Sequence, residues 1–547
     1  MIQALTPQLL AVALLLIIAL ASALSLLIAL GVRWRYRRRV LQAMAESVGG
    51  FPAGADETAA PVRPEATAPD DATACCQHVL HRPWQALGRD ALAGLAAVAV
   101  MTTALWLAFP MLRAPAQVAL FAWGYAWPLV LAAAIHCPAG WRGGAALLAA
   151  YFLPLLIYTG VALLAPPNPE DVAALRVAIT PVAVLYAWSV ANAVPTLVLL
   201  IFLSRRLRAV GPLLLALMTV ATAGCVMVWL WLFSERGSAL AVALAVASGL
   251  SVAVIVPALL LLALLAFMAL GAWLLGRVRR AYLAKTLNDR SLARDALWLY
   301  FAGIYAMYYA PAGLAWAPVP LLAFGAYKLA GRCLTRRCPA PPAGRGLTYL
   351  RVFSLGRHSD RLFDALARHW RHVGSLQLIT GPDLALSTLQ PHQLLDFLSG
   401  RLARHFVADT ASLGERLAAR DRLPDRDGLY RINNFFCHAD SWQRVLAALV
   451  RDGDRVLMDL RSFSAAHAGC VHELTYLAHH VPLSRCVLLV DERTDERFLQ
   501  RTLADAWHTL PADSPNRAGS PAAVALHRYD GGPAALPALL RQLCRAA

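Results

Sequence analysis

The chain has 547 residues, 59% of them hydrophobic and only 15% charged, with a mean hydropathy of +0.54 and a net charge of +17. That balance excludes an ordinary soluble protein and puts the chain among multi-pass membrane proteins. Residues 1–344 carry 25 Lys and Arg against 12 Asp and Glu and residues 345–547 carry 25 against 21, so the second part is only +4 and lacks the basic stripe of a nucleic-acid-binding domain.

Pro7–Val32 is one apolar run of spanning length, followed at once by five arginines within residues 33–39. The charges follow the apolar run instead of preceding it. Residues 1–46 therefore read as an uncleaved anchor, N-terminus outside and basic flank inside. Residues 47–89 are rich in Ala, Pro, Asp and Gly and read as a disordered cytoplasmic linker. A multi-pass bundle is expected over 90–332, with spans near 91–112, 116–136, 145–164, 179–203 and 210–233.

Ser238–Leu275 has 38 residues without a charge. One straight helix of that length would extend roughly 57 Å at about 1.5 Å per residue, so it must tilt strongly, project, or break, with Gly249 and Pro257 as the break points. Residues 297–329, interrupted by Pro311, Gly313, Pro318 and Pro320, read as a hairpin or re-entrant pair. The total is nine spans, with seven or eight as alternatives. On that topology the inner segments hold 22 of the 25 Lys and Arg, and only Arg113, Arg176 and Arg236 lie outside. The asymmetry places the protein in a bacterial-type inner membrane with its C-terminal part in the cytoplasm, provided the number of spans is odd. Buried charge is scarce, and Asn192 beside Pro195 is the main polar feature, either a ligand or gating kink or a packing kink. An anchor, sensor or oligomerising bundle fits this pattern better than a pump. A transporter or channel with a regulatory cytoplasmic domain stays as an alternative.

Residues 333–346, basic and then Pro/Gly-rich, form a linker, after which the composition becomes that of a soluble domain. Short apolar runs at 347–355, 375–380, 456–460, 486–490 and 522–527 alternate with helical patterns, predicting a five-stranded parallel sheet of flavodoxin-like type over 347–547. No glycine-rich phosphate fingerprint is present. Residues 408–438 read as irregular.

At two places the residues resemble TIR domains. Val352–Asp360 (VFSLGRHSD) is similar to the family's first box, and Asp459–Leu474 to its passage from third strand to following helix, with Cys470-Val471-His472-Glu473-Leu474 matching a Cys-x-x-Glu-Leu pattern. The resemblance implies a TIR-like fold, self-association and a membrane-anchored role in signalling or effector assembly. Because that glutamate is catalytic in NAD-cleaving members, it also implies an alternative: an NAD-hydrolysing effector, with NAD as substrate and Glu473 stabilising or attacking the ribosyl cation. A structural Glu473, paired with Arg461 or the helix N-terminus, is the competing reading. Phe353, Ser354 and Arg357 after the first strand, Asp383 after the second and Arg461 after the third would contact the ligand, Arg461 through a phosphate-gripping fork. A segment spanning 384–440 interrupts the family pattern and is placed to cover the mouth.

Other clusters carry less. His472 and His479 share a helix face but lack the i,i+4 spacing of a helical zinc site, so no metal is expected. Ten scattered cysteines argue against a disulfide framework, and Cys75-Cys76-Gln77-His78 reads as incidental. Cys437, His438 and Asp440 contain the elements of a thiol–imidazole pair without fixing its geometry.

Overall fold

The computed structural model describes residues 7–49, 72–164, 188–203, 210–232, 234–309, 315–336, 344–351, 357–381, 389–451, 454–518 and 524–546, apart from a few isolated positions. The chain divides into two units, residues 1–34 with 89–336, and residues 35–88 with 337–547.

The first unit is a helical bundle. Its helices are α1 (Pro7–Ala45) and α2 (Ala72–Ala108), each shared with the second unit, then α3 (Pro115–Tyr125), α4 (Trp127–His136) and α5 (Gly140–Leu164). These are followed by α6 (Val194–Phe202), α7 (Gly211–Leu232), α8 (Glu235–Ser248), α9 (Val252–Leu283), α10 (Asp289–Tyr309) and α11 (Val319–Arg336). Five helices among the described residues are long and apolar enough to cross a membrane: 72–108, 117–136, 140–157, 211–232 and 252–283. The expected total of nine is thus not reached among them. Part of the expected span 179–203 lies outside the described residues, as do the side chains of α1 before residue 23.

The uncharged run 238–275 is not one helix. Gly249 ends α8 in the left-handed conformation (φ 68°), and α9 starts after Ser251, whereas Pro257 sits inside α9. At 14 residues α8 extends only roughly 21 Å, short of the roughly 30 Å hydrocarbon layer. Its Ala241 and Ala245 pack between Leu232 at the end of α7 and Ile255 at the start of α9.

Helices α7 and α9 run antiparallel. Gly224 stands against Phe267 and Gly271 against Leu217, and a Cβ on Gly224 would overlap the Phe267 ring. Glycine lets the two backbones approach where neither helix can gain from excluding water. Gly224→Val is expected to force this crossing apart and cost about 1–3 kcal/mol. A lowered denaturation midpoint in detergent checks it, and an unchanged midpoint would show that the ring simply turns away. The expected hairpin over 297–329 is present as α10 and α11, which pack through Trp298 stacked on Tyr327 (5.2 Å).

The second unit is a doubly wound α/β domain. Its strands are β1 (Leu347–Arg351), β2 (Leu376–Thr380), β3 (Phe406–Val407), β4 (Ile432–Cys437), β5 (Arg455–Asp459), β6 (Cys486–Val490) and β7 (Ala525–Arg528). All pairs are parallel, in the order β3-β4-β2-β1-β5-β6-β7. The sheet therefore has seven strands, not the five expected. The five predicted strands are β1, β2, β5, β6 and β7; β4, from the segment read as irregular, and β3, just before that segment, extend the β2 edge. Helices of the domain are α12 (Arg357–Trp370), α13 (Pro391–Leu398), α14 (Thr410–Ala418), α15 (Trp442–Arg451), α16 (Ala468–His480), α17 (Glu496–His508) and α18 (Ala535–Arg545).

Successive residues of the central strands enter opposite layers, as the period of a strand requires. Val456, Met458 and Leu488 pack with Leu446, Leu474, Leu477 and Leu499, while Leu457, Val487 and Leu489 pack with Leu366, Trp370, Leu539 and Leu543. Burial on both faces explains why these strands read as unbroken apolar runs.

The disordered linker expected over 47–89 needs correction. Residues 72–88 are helical, and Cys75 and Val79, one turn apart, join the core formed by α12 and α18. Residues 50–71 lie outside the described set. The inserted segment also has a role in the fold. Besides β3 and β4 it supplies Phe397 of α13, which packs edge-on to the buried Tyr36 of α1 at 5.2 Å.

Candidate functional site

The central strands β1 and β5 are neighbours from which the chain proceeds in opposite directions, to β2 on one side and β6 on the other. In doubly wound sheets ligands bind beyond the carboxyl ends at such a reversal. Here that end carries charge: Arg351 closes β1 and lies in register with Asp459, which closes β5. Both are buried, Asp459 completely.

Asp459 is fully engaged. Its Oδ1 accepts from Arg461 Nε at 2.8 Å and its Oδ2 from Arg461 Nη2 at 2.7 Å, a bidentate pair, while Tyr349 Oη donates to Oδ2 at 2.9 Å. The Arg461 guanidinium also lies over the Tyr529 ring, 5.4 Å from its centre. Burial opposes the Arg461 charge, but Asp459 outweighs it and keeps the side chain ionised. The fork expected to grip a ligand phosphate is therefore occupied by an internal carboxylate.

Just after this pair, Ser462 adopts a left-handed backbone (φ 59°), strained for a residue with a side chain. Its N–H donates to Asp491 Oδ1 at 2.9 Å, and Thr494 Oγ1 donates to Leu460 O at 3.0 Å. The loops following β5 and β6 are thereby tied together at the mouth.

Glu473 lies on α16, only 1% exposed. Its Oε2 has no hydrogen-bond partner. Burial pushes the carboxyl up to about 8, against the opposing pull of the Arg351 charge. The partners expected for a structural Glu473 are thus not the ones that act on it; the cation that does is Arg351. Cys470, one turn earlier, donates its thiol to Arg351 O at 3.7 Å, and burial raises it to about 12. At neutral pH this site holds a protonated acid beneath a packed helix, not an exposed nucleophile.

Of the predicted ligand contacts, the structure brings Glu473 and Arg461 to the same end of the sheet. Arg357 opens α12, and its side chain lies outside the described residues, as do Phe353, Ser354 and Asp383. Arg351, Asp459 and Tyr349 were not among the predicted site residues. Their signal was present in sequence: a charged residue ending an apolar run is buried only at a cost that a partner must offset.

The remaining clusters have structural partners. His472 meets Trp442 edge-on and His479 Nε2 lies 3.1 Å from Ala506 O. Among the described residues no three His, Cys, Asp or Glu side chains converge as a metal site would require. The Cys437 thiol is buried, which raises it to about 12, and His438 turns away from it: Nδ1 donates to Ala43 O at 2.7 Å. Beside it the Ala439 N–H donates to Glu46 O at 3.1 Å. Asp440 Oδ2 accepts from Ser47 Oγ, Val48 N and Gly49 N at 2.7, 3.1 and 2.8 Å. His438 and Ala439, just beyond β4, thus donate to carbonyls at and just past the end of α1, which a helix terminus leaves orphaned, while Asp440 holds the N–H groups of the turn that follows.

In the first unit, Asn192 lies on a π-helical turn (Ser189–Ala193) and accepts from Tyr305 Oη at 2.7 Å. Trp127 Nε1 donates to Thr196 Oγ1 at 2.6 Å, and Trp188 Nε1 to Tyr151 Oη at 2.9 Å. These polar groups bond one another across the bundle, which favours the packing reading of the kink. Comparison with protein families, curated proteins and solved structures gives no match to this chain.

Proposed function

We propose that this protein serves signalling or effector assembly from a bacterial-type inner membrane, acting through a cytoplasmic, TIR-like α/β domain. The observation that carries this reading is the cap on α1. That helix is uninterrupted from Pro7 to Ala45; at the carboxyl end of β4 His438 holds its last turn, and Ala439 and Asp440 hold residues 46–49 just after it. A shift of the anchor helix would reach the sheet through these bonds. The order β2-β1-β5-β6-β7 of the five predicted strands, with Cys470–Leu474 at the strand reversal, supports the TIR-like part. Assembly is favoured over hydrolysis because Glu473 is sealed and the Arg461 fork is taken by Asp459.

A second reading, NAD hydrolysis, is favoured by one observation: a buried carboxyl with an unpartnered oxygen at the end of the sheet where ligands bind. It requires α16 or the adjoining loops to open. The full-length protein in nanodiscs separates the two. Assembly predicts that incubation with NAD releases no nicotinamide, and that Asp440→Ala alters chemically crosslinked self-association as it frees residues 43–49 to hydrogen exchange. Nicotinamide release that Glu473→Gln abolishes would replace the first reading with the second. Losing the Asp440 cap should cost about 1–2 kcal/mol locally, enough to expose that turn without unfolding the domain.

A further inference from the structure

Three thiols meet where the chain enters α2. Cys75 and Cys544 are both buried, in the layer between α12, α18 and the sheet, and their sulfurs are 2.9 Å apart. Cys76, half-buried, approaches Arg541 O at 3.8 Å on the same helix as Cys544. The three other described cysteines of this domain, Cys437, Cys470 and Cys486, belong to the layer on the opposite face of the sheet. They are internal controls.

We propose that Cys75 and Cys544 form a reversible disulfide, a modification site at which a low-molecular-weight disulfide fastens the start of α2 to the C-terminal helix. Closing the bond shortens the sulfur separation from 2.9 Å to about 2.05 Å, a change that side-chain rotation can supply. Cys76, the most accessible of the three, meets the oxidant. Its thiolate attacks one sulfur of RSSR, releasing RS⁻, which takes a proton to become RSH. Cys544 then attacks the Cys76 sulfur and expels the second thiolate, giving a Cys76–Cys544 bond. Attack by Cys75 on Cys544 transfers the bond and regenerates Cys76. The balance is RSSR plus two protein thiols giving one protein disulfide and two RSH; the protein loses two electrons and two protons, and RSSR gains them.

The order of events follows from burial. Contacts with Cys75 and then burial hold the Cys544 thiol well above the ordinary range, so it reacts poorly with a solution oxidant. An adjacent mixed disulfide offsets that barrier by holding the electrophile beside Cys544 at high effective concentration, so that the small thiolate fraction suffices. The bond would join residues 75 and 544, which both belong to the second unit although residues 89–336 of the first unit lie between them in the chain.

The test uses full-length protein in detergent, equilibrated with glutathione and glutathione disulfide, acid-quenched, alkylated and digested for mass spectrometry. The expected result is a linked peptide pair in which fragmentation places the alkyl label on Cys76 and the bond between Cys75 and Cys544, lighter by two hydrogens than the separate peptides and abolished by dithiothreitol. Cys544→Ser should give no linked pair, Cys75→Ser should stop at the Cys76–Cys544 bond, and Cys76→Ser should form the Cys75–Cys544 bond about tenfold or more slowly. No linked pair in the wild type would overturn the proposal, as would pairs involving Cys437, Cys470 or Cys486 at equal yield. Closure at the wild-type rate in Cys76→Ser would overturn the role given to Cys76.

Discussion

Glu473→Gln is expected to stabilise the α/β domain by roughly 3–4 kcal/mol at pH 7.5 and by under about 1 kcal/mol at pH 5. The folded-state carboxyl is raised from its ordinary 4.5 to about 8, chiefly by burial at 1% exposure. Raised means that the folded protein binds this proton more tightly than the unfolded chain. Stability from the group is therefore fully present below about pH 4.5 and is lost as pH rises towards about 8, falling by about 1.4 kcal/mol per pH unit between them. Glutamine keeps the shape and removes the titration, so its advantage grows across that window. Denaturant-dependent hydrogen exchange of peptides in β1 and β5, measured on the full-length protein at both pH values, reads the difference directly. A variant no more stable than wild type at pH 7.5, or equally stabilised at both, would contradict the buried, unpartnered state of this carboxyl.

A side chain that weakens its own fold at neutral pH calls for a reason other than packing, since proteins commonly give up stability where function requires it. Two uses are open to test: the acid acting in an open state of the α16 region, or its ionisation driving that opening. Nicotinamide release abolished by the stabilising Glu473→Gln substitution would favour use. A domain that loosens reversibly between pH 6 and 8 in the wild type only would favour a switch.

Part of this site was legible before any coordinates. The runs at 456–460 and 486–490 could only be buried strands, and the helix between them put Glu473 at a sheet end. Gly249 was one of two readable break points, and the left-handed turn it permits ends the helix there, whereas Pro257 is absorbed inside the next one. What could not be read was register. Arg351 and Asp459 are 108 positions apart, and only the pairing of β1 with β5 sets them side by side. Strand β4 escaped notice because Asn433 and Asn434 interrupt its apolar pattern. Their use is tertiary: Asn433 pairs with the Asp421 backbone and Arg416 reaches Asn434 O, covering the part of the strand that two-residue β3 leaves bare. Residues 72–88 were misjudged on composition, although Cys75 and Val79 have the four-residue spacing of an apolar helix face.

Asp459→Ala is expected to destabilise the α/β domain by about 3–5 kcal/mol, because it removes the carboxylate that pairs bidentately with the buried Arg461 guanidinium and accepts from the Tyr349 hydroxyl. The cost comes from breaking the pair, not from lacking one. Replacing both members by apolar residues of similar volume, Asp459→Leu with Arg461→Met, should therefore recover most of the loss, giving a coupling of about 2 kcal/mol or more in a double-mutant cycle. Arg461→Met alone strands the carboxylate and should cost as much as Asp459→Ala. If the two single variants instead add without coupling, the bidentate geometry does not persist in solution. Arg461 would then be free for a phosphate, which would strengthen the hydrolytic reading. The same cycle run in the presence of NAD thus joins stability to function: a ligand that recruits Arg461 must first take it from Asp459, and would reduce the measured coupling as it binds.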